Sequence, residues 1–506
     1  MQGPIQGSKA GITIVVMAAA LMAMIDISIV NVALTDIRAS FGTPIDQIGW
    51  VSTGYMMANI VVIPMTGWLQ RRFGFRRYFS ASVLIFTIAS ALCGMAWNLP
   101  SLVAFRVLQG MGGGAIIPTS QAILFSRYPR AQHGMAAGLF GLGAITGPLL
   151  GPTIGGYMID WASWHWIFLV NVPIGLVVAF VIPRVLKEPG FTPDRAKIDA
   201  VGIGLLAVGM ASLQYVLEEG NREGWSDSTR ILVLAGVATL ALVTFIAHEL
   251  EHPNPVVDLR VFKNRSYAAG TGLNFLLGLA VFGASFLFSL FCGDVMHYQA
   301  LDIGRIFLVA GASQILLMPI IGKMSNKVDP RYMLVFGVTV TTISQWIASH
   351  LTAQAGFYDL VWPNLVRSLG LVFVFVPVSV AALSNLPPEQ RGNATGLFNL
   401  TRELGGSIGT ALMGKLVADG IAHHSAQLSE HVTPFNPIAQ ERWQGLIARG
   451  MDAAASLAHE VSVQAKVLSY EDGFQTTMVA IGLGMVMVML LKKPSPAAGG
   501  APSGAH

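Results

Sequence analysis

The sequence predicts an all-α polytopic membrane protein of fourteen transmembrane helices, arranged as two related six-helix bundles with two helices inserted between them. Composition is the first observation. Of 506 residues, 53% are hydrophobic and only 11% charged, and the mean hydropathy is +0.60. Soluble domains carry roughly 25% charged residues, so a soluble chain is excluded. The second observation is recurrence: apolar runs of about 20 residues, the length that crosses a bilayer, follow one another along the chain. The third is an internal repeat.

The fourteen runs fall near 11–33, 48–70, 78–97, 101–124, 135–157, 166–186, 198–217, 230–249, 267–291, 304–322, 332–352, 363–384, 393–418 and 473–491. If the N-terminus is inside, twenty Lys and Arg residues fall in the inner segments against six in the outer ones. Positive-inside bias therefore places both termini in the cytoplasm, and the basic pI of about 9.0 reflects that bias rather than a nucleic-acid partner. Trp161, Trp164 and Trp166 cluster where an outer aromatic belt belongs. Cys93 and Cys292 lie in or beside apolar runs, which implies no disulfide framework. Neither metal nor cofactor is expected.

In the repeat, Pro129-Arg130-Ala131-Gln132-His133-Gly134-Met135-Ala136-Ala137-Gly138-Leu139-Phe140 aligns with Pro387 to Phe398. Proline, glutamine, both glycines, one alanine and the Leu-Phe pair coincide at one offset. Gly67, Leu69, Arg72 and Arg76 recur as Gly322, Met324, Lys327 and Arg331, and Arg106 as Arg367. The expected units are residues 1–189 for the first bundle, 190–265 for the inserted pair, 266–491 for the second bundle, and a disordered tail over 492–506. Within the second bundle, residues 419–472 form the longest outer segment. It reads as loop through Pro437, then as an amphipathic helix from Trp443 to Leu468 that lies on the membrane surface or docks a partner.

Asp26 is the only charged residue between Ala10 and Thr35, a run of about 39 Å as helix. A carboxylate there is costly unless it faces protein or water. It is either paired structurally with a neighbouring cation or kept to carry a coupling ion. A second motif stands in the fifth run, where Gly143, Gly147, Gly151 and Gly155 recur every fourth residue, with Pro148, Pro152 and Gly156 among them. Such a smooth face admits a close neighbour, and the prolines predict local loosening, together a hinge or seal between the halves.

Taken with the two-half repeat, these motifs resemble the major facilitator superfamily, and in particular its fourteen-span drug/proton antiporter branch, over essentially the whole chain. The glycine-proline run resembles that superfamily's antiporter motif. Gly67 to Gly74, with Arg71 and Arg72, resembles its loop between the second and third spans. Leu102 to Gly110 resembles the fourth-span motif around Arg106, Asp26 to Leu34 the first-span signature, and Trp166 to Gly175 a further match. Two departures stand out. Arg71 and its counterpart Asn326 replace the usual Asp of the loop, removing the charge that a lock there uses, and His165 replaces a more usual Arg.

The resemblance implies a proton-coupled antiporter that exports lipophilic or amphipathic compounds by alternating access, driven by the proton gradient. It implies a bacterial inner membrane, lipid around the bundle, a periplasmic membrane-fusion adaptor and an outer-membrane channel. Asp26 is then the proton carrier, with Glu403 a second candidate. Arg106 tunes the carboxylate or binds helix ends, and Arg402 and Arg367 act in the second half. Arg402 and Glu403 are adjacent on a helix, so their side chains are expected to diverge rather than pair. Asn31, Tyr55, Asn59, Gln121, Phe282 and Phe286 are candidates for the substrate cavity. A symporter of the same fold is the nearest rival. An intramembrane enzyme is disfavoured on the expectation that neither a His-Glu-x-x-His nor a Gly-x-Ser-x-Gly spacing is present, and a channel is disfavoured as well.

Overall fold

The computed structural model describes residues 5–491 except 195, 385, 434 and 450, and its regular elements are helical. The disordered tail expected over 492–506 lies outside the described residues. In order the helices are α1 (Lys9–Phe41), α2 (Ile45–Ile48), α3 (Trp50–Cys93), α4 (Leu99–Arg127), α5 (His133–Trp161), α6 (Trp166–Leu169), α7 (Asn171–Val185) and α8 (Ala200–Glu223). They continue as α9 (Thr229–Glu251), α10 (Arg265–Asp294), α11 (Ala300–Met324), α12 (Pro330–Ala348), α13 (Phe357–Leu383), α14 (Pro388–Ser429), α15 (Pro437–Ala448) and α16 (Ala453–Leu490). Many begin where an oxygen-bearing side chain accepts an otherwise orphaned backbone N–H. Ser8 starts α1, Asn98 α4, Asp199 α8, Ser228 α9, Asn264 α10, Asp329 α12 and Asp452 α16.

Among the described residues, eight helices are long and apolar enough by themselves to cross a membrane, and the chain is a multi-pass membrane protein. The least buried of them, α9, turns Leu232, Val233, Leu240, Val243 and Ile246 outward. Apolar side chains facing out along a whole helix suit a lipid boundary.

The runs expected at 48–70 and 78–97 both fall in α3, which is continuous except at Gly74. There φ is 79°, in the left-handed region that favours glycine. Glu188, from the segment after α7, accepts from the N–H groups of Phe75 (3.0 Å) and Arg76 (2.8 Å), so a distant carboxylate caps the second part of α3. Burial pushes the Glu188 carboxyl above its ordinary range, and the two N–H donors pull it back.

The two halves meet through the repeated motifs. At the start of α5, Gly134 packs on the backbone oxygen of Gly322 in α11, and Gly134 N donates to Asn326 Oδ1 at 2.9 Å. The repeat-related contact sets Gly392 of α14 beside Gly67 of α3, where a Cβ on Gly67 would strike the Asn393 backbone. His133 Nδ1 and Ser384 Oγ lie 2.9 Å apart, and Arg391 Nη1 donates to Phe125 O. These contacts share the end of the bundle where the N-terminus lies, as Gln6 exchanges backbone hydrogen bonds with Lys187 just after α7. The inserted pair spans both halves: Trp50 of α3 packs on Tyr215 of α8, while Gln214 and Asn221 of α8 donate to Ser407 and Ala411 of α14.

The segment over 419–472, expected to lie outside, departs from expectation. Residues 419–429 continue α14 instead of forming loop, and the amphipathic segment is two helices, one ending at Ala448 and the next beginning at Ala453 and running on into the last membrane span as α16. Tertiary contacts explain the helicity. His424 Nε2 meets Asp472 Oδ2 at 2.8 Å, Gly420 packs on Ser469, and Arg442 pairs with Glu460. Asp452 accepts from the N–H groups of Ala454 and Ala455, which restarts the helix.

If the halves separate at the N-terminal end during the cycle, a covalent link there must stop turnover. In a variant with Cys93 and Cys292 replaced by serine, His133→Cys with Ser384→Cys should form a disulfide on mild oxidation. Transport should cease and return on reduction; full transport with the link intact contradicts opening at this end.

Candidate functional site: a buried aspartate–arginine pair

The glycine face of α5 sets the position of Asp26. Gly147 lies against Met24 of α1, Gly151 against Ser28 and Gly155 against Ile29, each so near that a Cβ would collide, while Gly143 faces Met17. The expected seal between the halves is therefore a seam inside the first half, because these glycines meet α1 and not the second bundle. Ser28 Oγ donates across the seam to Gly147 O at 3.1 Å. The helix runs unbroken from His133 to Trp161 rather than loosening; Pro152 is exposed, Gly156 meets open space, and the Pro148 side chain lies outside the described residues.

With one face of α1 held against α5, Asp26 points to α4 and α7 and is 0% exposed. Arg106 Nη1 donates to its Oδ2 at 2.7 Å. Gln109 Nε2 and Asn171 Nδ2 both donate to its Oδ1 at 2.8 Å. Gln109 stands three residues after Arg106, on the same helix face, and its Oε1 accepts from Arg106 Nη1. Ser90 Oγ accepts from Gln109 and Asn171 and donates to Phe168 O, which fixes both amides. Arg106 is completed by a bond from Nε to Val51 O (3.1 Å) and by the Tyr55 ring, whose centroid lies 4.2 Å from the guanidinium carbon. Arg106 thus both pairs with the carboxylate and binds a helix backbone.

Two charges in this setting are tolerable because they are paired and held by further hydrogen bonds from Gln109, Asn171 and Val51. The arrangement also has a chemical property. Protonating Asp26 removes the negative partner and leaves Arg106, which cannot deprotonate, as an uncompensated buried cation. One proton therefore converts a satisfied centre into a frustrated one.

The other expected residues are dispersed. Arg402 Nη2 reaches Asn399 Oδ1 at 3.2 Å, and Asn399 Nδ2 reaches Gln121 Oε1 at 2.7 Å, so Gln121 serves a bridge between the halves. Arg402 and Glu403 do approach, at 3.5 Å, contrary to the expected divergence, because their long side chains fold toward one another. The Glu403 side chain stays 30% exposed, so this is not a second sealed centre. Arg367 is buried, donates to Asn364 Oδ1 at 2.7 Å and lies over Phe307. Asn59 is buried beside Gly114, Asn31 is exposed and accepts from Ser52 Oγ, Phe282 packs on Gly406, and Phe286 lies near Gly414. In the loop motif, Arg71 donates to Pro255 O and Arg72 to Ala196 O, so both brace the inserted segment.

Gln109, Asn171 and Ser90 were not among the expected site residues. Gln109 and Asn171 lie inside the fourth-span and Trp166 to Gly175 motifs, and an amide on an apolar face was the available signal. Contrary to expectation, both hydrolase-like spacings occur in the chain. Gly405-Gly406-Ser407-Ile408-Gly409 lies within α14, not at a strand-to-helix turn, and so is no nucleophile elbow. His248-Glu249-Leu250-Glu251-His252 closes α9.

Two helical halves related by a repeat and packed through equivalent motifs, with a buried ion pair inside the first, define a secondary-transporter architecture. The chain matches the Major Facilitator Superfamily over residues 16–410 and belongs to that family. It is 35% identical to the multidrug export protein EmrB of Escherichia coli (strain K12), covering 100% of this chain and 99% of that one. It is 30% identical to the fatty acid resistance protein FarB of Neisseria gonorrhoeae, covering 98% and 99%. The fold is similar to that of the proton:xylose symporter XylE, with a TM-score of 0.61 at 12% identity over 94% of this chain and 96% of that one.

Removing one partner of a buried pair costs about 3–5 kcal/mol, because the other charge stays behind. Arg106→Ala alone should therefore sharply lower the melting temperature of the purified protein. Adding Asp26→Ala to it should recover part of the loss; strictly additive losses would mean that the two side chains are uncoupled.

Proposed function

We propose that this protein is a proton-coupled antiporter that exports lipophilic or amphipathic compounds across a bacterial inner membrane, with both termini cytoplasmic. The observation that carries the reading is the Asp26–Arg106 centre, whose balance a single proton upsets. The structure closes the bundle at the N-terminal end, which in this orientation is the cytoplasmic end. From that state Asp26 takes a proton from the outer side and Arg106 loses its counter-charge. The first half then repacks, and the halves rock about the glycine contacts. Loss of the proton to the interior accompanies capture of substrate. The relatives named for multidrug export and fatty acid resistance support small apolar cargo, and a periplasmic adaptor with an outer-membrane channel completes the route. A symporter remains the alternative, since XylE carries the same fold.

Asp26→Asn preserves shape but can neither exchange a proton nor balance the Arg106 charge, so it mimics the protonated centre permanently. In proteoliposomes under an imposed pH gradient it should abolish accumulation, with partial retention of exchange for neutral substrates. Substrate added to detergent-solubilised wild type should release protons, and Asp26→Asn should release none. Glu403→Gln should retain most of the release. Loss in Glu403→Gln with normal release from Asp26→Asn would move coupling to α14, and co-directional movement of proton and substrate would establish symport.

A further inference from the structure

The inserted pair carries a cluster that the transport reading does not use. Asp199, just before α8, accepts from Gly202 N through Oδ1 (2.8 Å). His248, in the last turn of α9, places Nε2 at 2.9 Å from both Asp199 oxygens. His252, one turn on, holds Nδ1 at 3.9 Å from Asp199 Oδ2. One donor atom from each of the three residues lies within 4.8 Å of the others.

An Asp–His hydrogen bond that ties α8 to α9 accounts for part of this and leaves two features over. Glu249 is 1% exposed, and while its Oε2 accepts from Val257 N at 3.2 Å, its Oε1 has no hydrogen-bond partner. That oxygen borders the same small space as Asp199: a Cβ on Gly202 would collide with Asp199 Oδ2 and lie 2.8 Å from Glu249 Oε1. In addition, Asn254 N donates to His252 Nδ1 at 3.2 Å, so that nitrogen is unprotonated, and an ion would take its lone pair in place of the Asn254 N–H.

We propose that Asp199, His248 and His252 bind one divalent transition-metal ion of the zinc type, with Glu249 Oε1 facing the remaining coordination position. Tetrahedral bonds of about 2.0–2.1 Å separate donor atoms by about 3.3 Å, a value bracketed by the 2.9 and 3.9 Å distances to Asp199. Two imidazoles with carboxylates select zinc-like ions over magnesium or calcium, which prefer all-oxygen shells. The ion displaces the proton that His248 Nε2 shares with Asp199. The His-Glu-x-x-His spacing is that of zinc hydrolases, in which the glutamate is the base. Here Glu249 is buried and already binds Val257 N, so the ion fastens chain rather than activating water. It fastens two segments that touch both halves. Asp194 N donates to Arg71 O and Arg72 to Ala196 O on the α3 side; Asp258 exchanges two hydrogen bonds with Asn393 of α14.

The test uses full-length protein in detergent, carrying a purification tag without histidine, stripped with a chelator and titrated with Co(II) and then Zn(II). Wild type should take up one equivalent of Co(II) with the intense visible bands of a four-coordinate ion, lose them to Zn(II), release a proton and melt at a higher temperature. His252→Gln and Asp199→Asn should each weaken binding about tenfold or more, while their metal-free forms melt near the wild-type temperature. Asn at position 199 still caps α8, so the variant separates metal binding from helix capping. His423→Gln with His424→Gln, on α14, should leave the stoichiometry and strength of Co(II) binding unchanged. Absence of stoichiometric binding in wild type, or binding that His252→Gln leaves intact, overturns the proposal.

Discussion

The dominant constraint is the cost of holding a charge away from water. Asp26 and Arg106 coexist in the first half because they pair with one another and four helices surround them with hydrogen-bond partners. Each contribution depends on a different packing event: the α5 seam orients α1, the same-face spacing of α4 brings Gln109 with Arg106, and Ser90 of α3 steadies Asn171 of α7. Hydrocarbon surroundings raise the penalty for any missing partner, so these events are locked together. An error in the glycine seam would be felt at the carboxylate as a lost donor.

A second constraint comes from duplication. Gly134 meets Gly322 and Gly392 meets Gly67, so one pair of motifs is used twice across a pseudo-twofold relation. Small residues let helix backbones approach where no hydrophobic drive distinguishes protein from lipid. The copies have diverged at their polar position. Asn326 keeps a neutral acceptor for Gly134 N, while Arg71 turns away to the inserted segment. The closure is thus made by backbone contact and neutral hydrogen bonds more than by charge.

Much of this was legible. Apolar run lengths located the helices because the bilayer imposes a minimum length, and the repeat exposed the two halves because equivalent contacts preserve equivalent residues. Asp26 announced itself as a lone charge, whereas Arg106 came forward only through the family resemblance, with pairing to the carboxylate and binding of helix ends both left open. The seam of α5 was visible as a pattern but not its partner, because a glycine face says that something comes close without saying what. The helices over 419–472 were misread because α14 and α16 support one another through His424–Asp472 and Gly420–Ser469, pairings some fifty residues apart that local periodicity does not encode. The α9 cluster needed Asp199, forty-nine residues away, before its histidines had a common focus.

The lengths of α14 and α16 have a mechanical consequence. At roughly 1.5 Å per residue, the 42 residues of α14 extend about 63 Å and the 38 of α16 about 57 Å, against a hydrocarbon core near 30 Å. Each is one uninterrupted helix, and beyond the apolar zone they are laced side by side, with α15 strapped to α16 by Arg442–Glu460. The pair is a stiff mast rooted in the second half. Any tilt of that half is carried up the mast undiminished, and its tip sweeps a wider arc than the membrane-embedded helices that drive it.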